Sequence, residues 1–212
     1  MKILTGTVFW LALAGSALAQ AAGETLLPAL FDVVGVRADD VLNVRQGPGV
    51  GFAVVDTLAA DARDVEVVAL DERMGWAHVA GTEGGGWVAL RYLKRQPGQE
   101  DGRLPQPLLC SGTEPFWSLD LAGDDSAVFA EPGGGEHLLS RQWERSAEGA
   151  PPMDFVAVLA GTRASLTAVI SRESCSDGMS DRPYGLRARV ATDGALGRRL
   201  LRGCCYLPGG RE

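Results

Sequence analysis

Three carboxylates and four cysteines are the residues of this chain whose types and spacing bear on chemistry. Glu114 sits in the run Gly112-Thr113-Glu114-Pro115-Phe116-Trp117. Asp177 and Asp181 lie in Cys175-Ser176-Asp177-Gly178-Met179-Ser180-Asp181. Two carboxyl groups at a suitable separation hydrolyse a glycosidic bond, one as general acid and the other as nucleophile or base. Glu114 with Asp177 or Asp181 is therefore the pair that a cell-wall glycan hydrolase would use. The same residues have structural uses. Asp177-Gly178 makes an Asx-type turn, Asp181 before Arg182-Pro183 caps another, and Glu114 accepts backbone N–H groups or pairs with an arginine. A calcium loop needs a ligand series that Asp177 and Asp181 do not complete. The chain carries no His-Glu-x-x-His, Gly-x-Ser-x-Gly, Walker or dinucleotide motif. The expectation is a protein without catalytic residues, with hydrolysis as the alternative.

Cys110, Cys175, Cys204 and Cys205 are the only cysteines. An even count in an exported chain favours disulfides over thiol chemistry. Cys204 and Cys205 are adjacent, so in a strand they point to opposite faces and take separate partners; two pairings remain open. There is no Cys-x-x-Cys spacing, and His78 and His137 are the only histidines, so neither a metal nor a cofactor is expected. The net charge is −7, with Asp and Glu scattered rather than blocked. Nucleic acid is excluded as an expected partner, because phosphate binding needs clustered Lys and Arg.

The N-terminus reads as a signal peptide over residues 1–19. Lys2 precedes an apolar run, and Ala17-Leu18-Ala19 offers small residues for cleavage before Gln20. The run is too short to span a bilayer, and no later segment is long and apolar enough. The mature chain is expected in the periplasm or secreted, without an integral membrane segment. Residues 96–107, dense in Pro, Gly and charge without apolar periodicity, read as a linker. They divide the chain into a domain at 29–95 and another at 108–208.

The elements positioning these residues read as strands throughout. In the first domain they fall at 31–36, 41–45, 53–58, 65–70, 76–79 and 86–88; Leu42 and Val44 alternate with Asn43 and Arg45. So many short strands suggest a small, strongly bent barrel. Phe52, Trp76, Trp87 and Tyr92 are its candidate binding residues. For Trp76 and Trp87 the alternative is core filling, since a domain this small has little apolar area to expose. Arg45 either stays at the surface or braces the Gly47-Pro48-Gly49 loop. In the second domain strands at 117–121, 127–130, 155–159, 165–170, 186–190 and 199–205 suggest an antiparallel meander, closed or half-closed into a barrel, with Asp193-Gly194 as a hairpin signal. The fold class expected is all-β, a small barrel followed by a disulfide-bonded antiparallel barrel.

Leu42-Asn43-Val44-Arg45, the Gly47-Pro48-Gly49 loop, Leu58, Val65, Gly75-Trp76 and Gly86-Trp87-Val88 resemble the bacterial SH3 (SH3b) family. That resemblance implies a small β-barrel and, as partner, peptidoglycan or another component of the cell wall. Gly112 to Trp117, Cys175 to Asp181 with Tyr184, and Gly203-Cys204 resemble an uncharacterised family of exported bacterial proteins and lipoproteins. This second resemblance implies Cys175–Cys204 as one disulfide, with Cys110–Cys205 as an additional pair, and no known activity. The combined expectation is a non-enzymatic cell-envelope protein. Its first domain binds peptidoglycan or a periplasmic partner. Its second binds another ligand through Phe116, Trp117, Asp177, Met179 and Asp181.

Overall fold

Alternation of apolar with small or charged residues builds strands over much of the described chain, and they assemble into two antiparallel sheets. The computed structural model describes residues 26–209 except 72, 74, 82, 83, 101, 122, 123 and 150. The expected signal peptide lies outside the described residues. The first sheet comprises β1 (Ala29–Val33), β2 (Val41–Arg45), β3 (Val54–Ala59), β4 (Val65–Leu70), β5 (Trp76–Val79), β6 (Gly86–Ala89) and β7 (Leu93–Arg95), with a 3-10 turn at Leu90–Tyr92. Its strand order is β3-β2-β6-β5-β4-β1-β7. Phe31, Val33, Leu42, Val44, Val67, Ala77, Val79 and Val88 form its core.

The second sheet is a closed barrel of eight strands. They are β8 (Leu108–Thr113), β9 (Phe116–Leu121), β10 (Ser126–Glu131), β11 (Gly135–Ser146), β12 (Asp154–Ala160), β13 (Ala164–Cys175), β14 (Tyr184–Gly194) and β15 (Arg199–Tyr206). Each strand pairs with the next in sequence, and β15 returns to β8 to close the ring. Phe129, Phe155, Leu119, Leu121, Leu159, Ile170 and Leu186 fill the inside, so this is a packed core rather than a pore.

The adjacent cysteines separate across the barrel wall. Cys205 faces inward to Cys110, its cross-strand partner on β8, and Cys204 bonds to Cys175 at the end of β13. Two disulfides point to an oxidising, non-cytoplasmic compartment. Among the described residues no helix is long and apolar enough to cross a membrane.

The strands β7 and β8 were not expected, and two longer segments also depart from the sequence reading. The twelve-residue β11 was not expected. Only Leu139 in it is buried, and its other positions are polar, charged or exposed, so no alternation marks it. The described residues of 96–107 form no strand or helix, yet several of them are packed. Gln99 is buried and accepts from Leu30 N, while its amide donates to the Gln106 carbonyl at 2.7 Å. Leu104 joins the barrel core.

The two sheets meet along the outer face of β1 and β4. Leu30 and Glu66 are cross-strand neighbours there, on the face opposite the first sheet's own core. Leu30 packs into the barrel's cluster. Glu66 accepts from the Leu207 amide at 3.0 Å and from Arg182 Nη2 at 2.8 Å. The Arg182 guanidinium lies over the Tyr206 ring, 4.3 Å from its centroid. Arg172 donates to the Pro28 carbonyl at 3.1 Å.

Candidate functional site

Period-2 geometry decides where the aromatic candidates of the first sheet go. Ala77, Val79 and Val88 face the core, so Trp76, His78 and Trp87 stand on the opposite face of β5 and β6. His78 pairs in register with Trp87, and their rings stack with centroids 4.9 Å apart. Arg45 is the β2 neighbour of Trp87. Partial burial lowers the His78 pKa, which favours the neutral ring against the indole.

Two open grooves flank Trp76. One, of about 440 Å³, is lined by Trp76, Tyr92, Arg37, Asp40 and Arg91 among others. The Arg91 guanidinium lies over the Tyr92 ring, 4.7 Å from its centroid. The other, of about 570 Å³, is lined by Trp76, Trp87, Leu70, Asp71, Arg73 and Pro48. Asp71 accepts from the Trp76 amide at 2.7 Å, fixing the start of β5. Three of the four expected aromatics thus come together. The fourth, Phe52, does not line either groove. Its ring lies over Gly47, where a Cβ would come within 2.6 Å of it, and Arg45 Nη1 donates to the Phe52 carbonyl at 2.8 Å. That contact settles Arg45 as the brace of the 47–51 loop.

On the barrel, the residues expected at one surface separate. Trp117 is 3% exposed. Its indole fills a slot left by two glycines: a Cβ on Gly112 would lie 2.1 Å from Nε1, and one on Gly203 would lie 2.7 Å from the ring. Its Nε1 donates to the Arg202 carbonyl at 3.2 Å. The buried indole is a core element, which corrects its expected place at the surface; a large apolar side chain with a satisfied N–H belongs inside. Phe116 alternates with it and is 54% exposed.

Asp177 organises its own loop. Its Oδ1 accepts from the Met179 and Ser180 amides, both at 2.9 Å, and its Oδ2 accepts from Ser180 Oγ at 2.8 Å and Tyr184 OH at 3.0 Å. Partial desolvation alone would raise its pKa, but these four donors outweigh it and bring the carboxyl down to about 2. The Asp177 carbonyl also accepts from Thr113 Oγ1 at 3.0 Å, tying the loop to the first motif. Met179 stands at the loop tip, 70% exposed. Exposed Asp181 packs near Gly84, between β5 and β6, where a Cβ on that glycine would meet its backbone carbonyl at 3.8 Å.

A cleft of about 220 Å³ at the barrel rim is lined by Glu114, Asp177, Arg187, Arg202 and the Cys175–Cys204 bridge. Beside it lies an apolar shelf of about 390 Å³ around Phe116, Trp117, Ala130 and Pro132; the two share Ser111, Gly112 and Thr113. Arg37, Arg91, Arg187 and Arg202 escaped the sequence reading. Arg37 is in the loop before β2, Arg91 in the 3-10 turn, and Arg187 and Arg202 in strands; single arginines carry no motif, and only the fold brings them to the grooves. Among the described residues no three His, Cys, Asp or Glu side chains cluster to hold a metal. Comparison with protein-family models, curated proteins and solved structures finds no match for this chain.

Proposed function

We propose that this is a non-enzymatic protein of the cell envelope, periplasmic or secreted, whose first sheet holds peptidoglycan or a periplasmic partner. Its barrel takes a second ligand at the rim. The observation that carries the reading is the position of Trp76 and Trp87. Both stand outside a core completed by smaller residues, beside two open grooves. Indole rings cost free energy in water, and a row of them between arginines and aspartates suits an extended polymer with apolar, hydroxyl and charged groups in alternation. The resemblance to bacterial SH3 domains leads to the same ligand class.

Hydrolysis through Glu114 and Asp177 is the poorer reading. A carboxylate held by four donors and ionised down to a pH of about 2 is a weak base and carries no proton to donate near neutral pH. The test is co-sedimentation of the mature protein with purified peptidoglycan sacculi, with the supernatant assayed for released fragments. Retention that falls with Trp76→Ala and Trp87→Ala, without fragment release, is expected. Release abolished by Glu114→Gln would make the protein an enzyme. Retention unchanged in both tryptophan variants would remove the grooves from the binding.

A further inference from the structure

Several arginines of this barrel are held by carboxylates. Arg199 meets Glu131 at 2.7 Å, Arg141 meets Glu144 at 2.9 Å, and Glu173 holds both Arg187 at 2.7 Å and Arg189 at 3.3 Å. Glu114 and Arg202 are an unpaired acid and base at one place. They carry opposite charge and line the same cleft, yet among the described residues neither side chain has a hydrogen bond or ion pair, including with the other. Trp117 keeps both in place. Its indole is locked between Gly112 and Gly203, so the turn carrying Glu114 and the β15 backbone carrying Arg202 are fixed around one ring.

We propose that the cleft and the adjoining shelf form one site for an amino-acid zwitterion with an apolar side chain. The inference rests on the reading of the barrel rim as a binding surface and names the ligand chemistry. The α-ammonium pairs with Glu114 and the α-carboxylate with Arg202, whose planar fork suits a carboxylate. The apolar side chain lies on the shelf against Phe116 and Pro132, which opens from the cleft through Gly112 and Thr113. A ligand of one charge would pair with only one of the two groups, so the site selects for both charges together.

The test is amide chemical-shift titration of the mature chain with three probes: phenylalanine, phenethylamine, which lacks the carboxylate, and 3-phenylpropionate, which lacks the ammonium. Saturable shifts at Gly112, Thr113 and Phe116 with phenylalanine are expected, and each truncated probe should bind about tenfold more weakly. Arg202→Gln should weaken phenylalanine and phenylpropionate about tenfold and leave phenethylamine unchanged; Glu114→Gln should do the converse. Both side chains are exposed, so neither change threatens the fold. Equal binding of all three probes would overturn the zwitterion assignment while leaving the rim a binding surface. No saturable shift with any probe would overturn the site together with the reading of the rim beneath it.

Discussion

Glu66 offers the sharpest test of how the two sheets are joined. It is 4% exposed, on the β4 face against the barrel, with Arg182 and the Leu207 amide as its partners. Two effects compete there. Removal from water disfavours the charged carboxylate, while the amide and the guanidinium favour it. Desolvation is the larger, and it pushes the pKa from 4.5 up to about 7. A carboxyl whose pKa rises on folding binds more protons folded than unfolded. Its contribution is therefore complete below about 4.5 and is lost as pH rises through about 7. At 1.36 kcal/mol per pH unit the difference amounts to about 3 kcal/mol. Glu66→Gln keeps the shape of the protonated form. The variant should match the native chain near pH 4.5, and by pH 8 it should have gained about 3 kcal/mol relative to it. Urea unfolding of both proteins across that range, followed by tryptophan fluorescence, gives the difference directly. A difference that stays constant with pH would refute the reasoning. A native chain that gains on the variant above pH 5 would show that the Arg182 pair outweighs desolvation.

Three further outcomes are expected. Replacing Cys175 and Cys204 by serine, a bridge across 29 residues, should cost about 3.5 kcal/mol, and replacing Cys110 and Cys205, across 95, about 4.7, by loop-closure entropy; urea midpoints in the reverse order would contradict that account. Gly203→Ala would place a Cβ 2.1 Å from the Ser111 carbonyl and press on the Trp117 ring. A loss of about 3 kcal/mol and of the near-ultraviolet signal of the buried indole should follow, and a native-like melt would disprove the slot. Asp177 should keep its loop ordered until the pH falls towards 2, its contribution being present above about 3.8 and lost through the folded pKa; a titration midpoint near 4 in the Met179 and Ser180 amide shifts would remove the four-donor account.

How much of this was legible in the sequence varies with how local the deciding physics is. Strands such as Val41–Arg45, whose Leu42 and Val44 face one core, announce themselves by alternation. Adjacent Cys204 and Cys205 implied separate partners because neighbouring strand residues cannot share a face. The alternation of Trp76, Ala77, His78 and Val79 was equally visible, but it fixes only which residues go together. Which set faces the core depends on the rest of the sheet. Asp177 read correctly as a turn former because its partners lie within seven residues. The Trp117 slot needs Gly112 and Gly203, far apart in sequence, and no local pattern shows that the motif tryptophan belongs inside. Gln99 and Leu104 are buried by contacts with distant segments, which polar, proline-rich composition concealed.

The closing pair of strands also orders events in time. Seven of the eight ladders in the barrel join strands next to each other in sequence, whereas β15 must find β8 with Cys205 opposite Cys110, 95 residues away. Pairing at that separation carries a large loop-closure entropy, so ring closure is expected to come late in folding. Leu207 follows β15 directly, and its amide is a partner that Glu66 acquires only when that strand is seated. The first sheet can thus form early with its carboxylate still hydrated, and dehydration of Glu66 then marks the final step of folding. A probe of Glu66 ionisation during refolding would consequently report when the barrel closes.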